Sequence, residues 1–160
     1  MALSFSKMGA TKQRTVRTRA KVGTTAGWVV GAADNLGLMA TCPASQSAST
    51  LVVPVSGLKV GDVITAFSLV GQIEGTSGNT TTVDADLRKM TAAAADVTDA
   101  SIGAITQVSV TADAILSASK TLATPEVVGA DETFYVLITA TTGASMDIAL
   151  QGVTITVKDA

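Results

Sequence analysis

Apolar and polar residues alternate with a period of two along much of this chain, and the clearest stretch is residues 131–158, DETFYVLITATTGASMDIALQGVTITVK. Successive side chains of a strand point to opposite faces, so this period marks half-buried β-strands. Phe134, Val136, Ile138 and Ala140 share one face of a first strand, while Thr133, Tyr135, Thr139 and Thr141 share the other. Thr142-Gly143-Ala144-Ser145 predicts a tight hairpin turn, because glycine accepts the positive φ such a connection often needs. In the return strand Met146, Ile148 and Leu150 have one parity and Val153, Ile155 and Val157 the other. An unbroken strand would turn half of this apolar set toward water, so a one-residue bulge is predicted at Gln151-Gly152.

The same reading applied from residue 50 onward predicts further strands. Leu51, Val53 and Val55 alternate, and Pro54 between them points to an edge strand or a strand end, since proline donates no ladder hydrogen bond. Over residues 63–73, Phe67, Leu69 and Ile73 have one parity and Ile64, Ala66 and Val70 the other, which predicts a strand covered on both faces by a second sheet or another subunit. Residues 82–88 place Val83, Ala85 and Leu87 inward and Asp84, Asp86 and Arg88 outward. Residues 90–95, with four consecutive alanines, are read as a helical turn, and residues 96–101 as a loop. Residues 104–118 alternate as one long bent strand or two in succession. Six to eight strands with short turns and no long helix define an all-β chain, an antiparallel sandwich or barrel.

Composition adds a basic arm. Lys7, Lys12, Arg14, Arg17, Arg19 and Lys21 are six of the eleven basic residues, and no acid precedes Asp34, so residues 1–33 carry +6. The other five basic and thirteen acidic residues leave −8 on the remainder. Residues 1–21 lack apolar periodicity and are expected to become ordered only on a partner. Residues 1–49 are therefore read as an extended N-terminal arm and lead-in, and residues 50–160 as the β-sandwich domain. Trp28, in an otherwise aromatic-poor chain, is read as an apolar anchor that docks with the arm. The arm's six cations fit an acidic protein surface; the absence of aromatics between Lys7 and Lys21 argues against nucleic acid. On this reading, deleting residues 2–33 leaves the β-body folded.

Candidate chemistry is sparse. The chain has no histidine, which removes the commonest general base and metal ligand and argues against an enzyme. A single cysteine, Cys42, excludes an intrachain disulfide and a cysteine-based metal site. Asp84-x-Asp86 places two carboxylates on one strand face as a possible cation contact, but oxygen-ligand sites need more donors. Ser117-Ala118-Ser119-Lys120 has a Ser-x-x-Lys spacing on a strand, where positions i and i+3 point apart, so it is read as coincidental. Asn79-Thr80-Thr81 is a formal glycosylation acceptor in a turn. No phosphate-binding loop, cofactor site or transmembrane helix is expected. The apolar stretch before Cys42 superficially resembles a lipoprotein leader, but Asp34 and several glycines interrupt it.

Three phrases, VPVSGLKVGDVITAFSLVGQIEG, TTVDADLRKMTAAAADVTDASIG and ETFYVLITATTGASMDIALQGVTITV, give the segment from Leu51 onward a resemblance to virion structural proteins of tailed bacteriophages, in particular capsid decoration or cement proteins. The resemblance implies a jelly-roll-like β-sandwich that assembles as a homotrimer on the capsid exterior, contacts the major capsid protein and has no enzymatic activity. It would be made in the host cytoplasm. Two other readings are carried alongside it: a tail or head-fibre module that binds a host receptor, and a small carbohydrate-binding module.

Overall fold

The computed structural model describes residues 13–18, 27–30, 40–75 and 78–159. Ten strands account for most of them: β1 (Gln13–Thr18), β2 (Val29–Val30), β3 (Ala40–Cys42), β4 (Ser49–Val55), β5 (Val63–Gly75), β6 (Thr81–Ala93), β7 (Asp96–Val110), β8 (Ala114–Val127), β9 (Glu132–Thr141) and β10 (Met146–Lys158). They form two sheets in which every pairing is antiparallel. One runs β2-β3-β10-β5-β8, with β1 also paired to β10, and the other runs β4-β9-β6-β7. The pairs β6·β7, β5·β8, β4·β9 and β3·β10 nest about the β6–β7 turn, so strands β3 to β10 form one long antiparallel ribbon wound into a jelly roll. The predicted antiparallel β-sandwich is the observed one.

Inward positions of both sheets make one core. Leu51 and Val53 of β4, Val83, Ala85 and Leu87 of β6, and Phe134, Val136, Ile138 and Ala140 of β9 face Phe67, Leu69 and Ile73 of β5 and the apolar set of β10. The predicted bulge is present: Leu150 pairs with Gly71 and Gly152 with Val70, leaving Gln151 without a partner. Met146, Ile148, Leu150, Val153, Ile155 and Val157 are consequently all buried. Edge placement of β4 agrees with Pro54.

Four local expectations are corrected. Residues 131–158 are not a hairpin, because β9 pairs with β4 and β6 while β10 pairs with β1, β3 and β5. The turn is an arch that carries the chain from one sheet to the other. Gly143 is needed there for room, since a Cβ would lie 2.6 Å from the Asn79 side chain. Residues 90–93 extend β6 and residues 96–101 belong to β7, because cross-strand pairing down to Ala93↔Asp96 outweighs the weak helix propensity of a short alanine run. Residues 104–118 take the second of their two predicted forms, two strands in succession, which lie in different sheets and are separated at 111–113.

The fourth correction concerns β5. Ala66 pairs with Thr156 and Ile64 with Val157, so Thr65 is an extra residue in the ladder. The bulge puts Ile64 on the same inner face as Phe67, and Val70 on the outer face is left 37% exposed. One covering sheet therefore suffices, and β5 gives no ground for a second cover from another subunit. The division at residue 50 also does not bound the sandwich: β1, β2 and β3 all precede it and belong to the first sheet.

Candidate functional site

The basic arm is where sequence placed the functional residues. Lys7, Lys12, Arg19 and Lys21 lie outside the described residues, and Arg17 is placed only by its backbone, paired with Thr154. Arg14 is engaged within its own chain. From β1 its guanidinium donates to the Asp159 carboxylate at 2.8 Å, to the Gly57 carbonyl at 3.0 Å, and to Asp62. Asp62 is 2% exposed and accepts a second hydrogen bond, from the Lys59 amide at 2.7 Å. A buried carboxylate needs such partners, because desolvation penalises an unpaired charge. Arg14 thus ties β1 to the 56–62 loop rather than standing free for a partner.

Trp28 is likewise internal. It is 6% exposed, belongs to the core, and its Nε1 donates to the Ser49 carbonyl at 3.2 Å. Large aromatics dominate interfaces, which is why sequence suggests a docking anchor; in the structure Trp28 belongs to the core of its own sandwich.

The outer face of the second sheet carries a polar network. Arg88 donates to Asp86 at 2.7 Å, to Asp99 at 3.2 Å and to the Tyr135 hydroxyl at 3.1 Å; Tyr135 donates to Asp99 at 2.8 Å, and Ser101 donates to Asp86. Asp99 and Asp86 raise the Arg88 pKa above its ordinary value, and Arg88 together with Tyr135 lowers that of Asp99. Asp84 accepts the Gln107 amide at 3.1 Å, beside an irregularity in the β6–β7 ladder. The two carboxylates of the Asp84-x-Asp86 pattern are therefore used by protein donors, and no group of three or more metal-ligating side chains occurs among the described residues. Nearby, Lys89 bridges Glu126 at 2.6 Å and Glu132 at 3.0 Å. Both carboxylates raise the lysine pKa, Glu126 the more strongly. Burial works to raise the Glu132 pKa, but the Gly129 amide and Lys89 outweigh it and the net shift is downward.

Ser117 and Lys120 sit on β8 opposite Val70 and Phe67, three positions apart on a strand, so no Ser-Lys dyad forms. An open cleft of about 210 Å³ lies between the 57–60 loop and residues 128–134, with Phe134, Glu132 and the Gly129-Ala130 backbone in its wall. No described side-chain polar atom is buried without a partner.

Cys42 is fully buried, and that burial is the main cause of a thiol pKa pushed up to about 11; the charge of Asp147 adds to it, while hydrogen bonds with Thr142 and Ser49 oppose it. The thiolate is the reactive form. Native protein at pH 8 should therefore resist iodoacetamide and label fully only in denaturant. Labelling of the native protein at the rate of a free thiol would show that this end of the sandwich opens.

Along one flank β7 and β8, the end strands of the two sheets, lie against each other. Val97 on β7 is 54% exposed, and Ile115 and Val127 on β8 are 81% and 57% exposed. Sequence reasoning missed this surface because alternation reports which face a residue takes, not which strand ends a sheet.

No protein-family model matches the sequence. No curated protein matches it either. Among solved structures, it resembles the CBM22-1 and GH10 modules of the Clostridium thermocellum xylanase Xyn10B, complexed with xylohexaose, with a TM-score of 0.48 and 15% identity over 91% of this chain. The chain spans only 28% of that protein. The CBM36-1 domain of a multidomain xylanase from the hindgut metagenome of Trinervitermes trinervoides gives a TM-score of 0.45 and 11% identity, covering 90% of this chain and 96% of that one. The enzymatically active domain of bacteriophage CBA120 tailspike protein 4 gives 0.37 and 11%, covering 89% and 19%. Carbohydrate-binding modules and a phage protein thus stand side by side, and likeness at this level is one of fold. No helix among the described residues is long and apolar enough to cross a membrane.

Proposed function

We propose that this chain is a non-catalytic virion module that bridges neighbouring subunits of a phage capsid from the outside. The observation that carries the reading is the β7–β8 flank, where Val97, Ile115 and Val127 are exposed on the end strands of both sheets. Exposed apolar residues on the end strands of both sheets favour a protein partner, through burial of those side chains. The ion pairs of the sandwich support it from the other side, since Arg14 with Asp62, Arg88 with Asp86 and Asp99, and Lys89 with Glu126 and Glu132 pair within the chain. The major capsid protein as partner and a homotrimeric state follow from the resemblance in sequence phrases. Electron microscopy of particles made with this chain should place the sandwich on the outer shell across a seam between subunits, and Ile115→Asp with Val127→Asp should abolish its retention there. Density at a tail tip would transfer the protein to the receptor-binding reading; absence from the particle would end both.

A second reading, a small carbohydrate-binding module, draws on the cleft beside Glu132 and on the class of protein found among the solved structures of similar fold. Against it stands the aromatic inventory. Sugar rings stack their C–H faces on exposed aromatic rings, yet among the described residues Trp28, Phe67 and Phe134 are buried and the Tyr135 hydroxyl is held by Arg88 and Asp99; Phe5 lies outside those residues. Retardation in native gels containing xylan, absent from gels without it, would favour this reading over the first.

A further inference from the structure

β1 is only lightly committed to the core it adjoins. Its sequence is QRTVRT, and Val16 is its single large apolar residue, partly buried against the core, while Gln13 and Thr15 are exposed. What holds it is a six-residue antiparallel register on β10, from Gln13↔Lys158 to Thr18↔Val153, and the clasp of Arg14 on Asp62 and Asp159. The slot it fills is the opposite case. Val153, Ile155 and Val157 of β10 are buried on the inner face, and Asp62 is a buried carboxylate already fixed by the Lys59 amide. An empty slot would expose the β10 edge and leave that carboxylate without its cation, so the slot must be filled. It also recognises its occupant: an extended segment with arginine two residues before valine, running antiparallel to β10.

We propose that β1 is an exchangeable strand, and that in an assembly of identical copies the β10 slot of one chain is filled by β1 of another. The inference stands apart from the capsid reading. A second copy supplies the same ladder, the same Val16 contact and the same Arg14 clasp, so exchange costs almost nothing in contacts and is decided by effective concentration. Residues 19–26 separate β1 from Gly27, and eight residues span up to about 26–29 Å when extended, which sets how far the slot of the other copy can lie.

Register partners on the outer face give the test. Thr15 pairs with Thr156, so a tagged chain carrying Thr15→Cys is mixed with an untagged chain carrying Thr156→Cys and oxidised at increasing concentration. Each chain is first checked for native circular dichroism, and Gln13→Cys with Lys158→Cys, also register partners, replaces a pair that does not fold. The expected result is a tagged–untagged disulfide heterodimer whose yield rises with concentration and is lost when the tagged chain also carries Val16→Pro, which removes a backbone donor from the strand. Two outcomes overturn the proposal. One is the absence of that heterodimer while a single chain bearing both cysteines closes its disulfide internally at every concentration. The other is a heterodimer that survives Val16→Pro undiminished, which would report collision rather than strand exchange.

Discussion

Replacing Trp28 with alanine is expected to lower the unfolding free energy by about 3–5 kcal/mol, the usual cost of emptying a buried indole site. Trp28 is 6% exposed and packs in the core, and the change also leaves the Ser49 carbonyl without the 3.2 Å hydrogen bond from Nε1. Domains of this size hold about 5–15 kcal/mol in all, so the loss takes a large fraction of the total. The check is a urea titration followed by far-ultraviolet circular dichroism, because the variant lacks the chain's only tryptophan as a fluorescent reporter. Deletion of residues 2–33 removes β1 and β2 as well and should be at least as damaging. This reverses the expectation that a dispensable arm precedes residue 34. An unchanged urea midpoint for Trp28→Ala would mean that the indole contributes nothing to the fold and would restore the docking-anchor reading.

The engagement of Arg14 within its own chain escapes the sequence for a physical reason. A run of cations without nearby acids looks solvated, but the counterions of Arg14 are Asp62 and Asp159, which are distant in sequence and meet it only through the β1–β10 pairing. Alternation told correctly that Val83, Ala85 and Leu87 face inward and that β10 must bulge at Gln151, since both follow from the period of one strand alone. It failed where two strands had to be related. Nothing in residues 131–158 distinguishes a hairpin from an arch, because an inner face looks the same whichever sheet the strand joins. In β5, a bulge at Thr65 and a strand covered on both faces produce the same run of apolar residues, and only the partner register separates them. In the Asp84-x-Asp86 pattern, Asp86 has its partner close by in Arg88, one alternate position further along the same strand face, whereas Asp84 accepts from the Gln107 amide across the ladder.

The bulge that sequence did reveal explains a glycine that it did not. Gly71 sits on the inner face of β5 opposite Leu150, and a Cβ added there would lie 2.5 Å from the Ala149 carbonyl oxygen and 3.1 Å from the Leu150 Cα. Both are backbone atoms of β10 immediately before the unpaired Gln151. A side chain could swing aside, whereas this backbone is held between β5 and β3. Gly71→Ala should therefore cost about 2–3 kcal/mol, the upper part of the overpacking range, despite alanine's better strand entropy. Deleting Gln151 should be nearly neutral by itself. The shortened strand keeps Leu150 opposite Gly71 and Gly152 opposite Val70, and it brings Val153, Ile155 and Val157 into regular alternation with Met146, Ile148 and Leu150. With the bulge gone, β10 straightens and its backbone withdraws from the Gly71 site. A double-mutant cycle measured by urea unfolding should then show favourable coupling of about 1 kcal/mol or more between the two changes. Strict additivity would mean that the crowding at Gly71 is not the work of the bulge, and an unfolded Gln151 deletion would mean that the unpaired residue itself holds the strand in place.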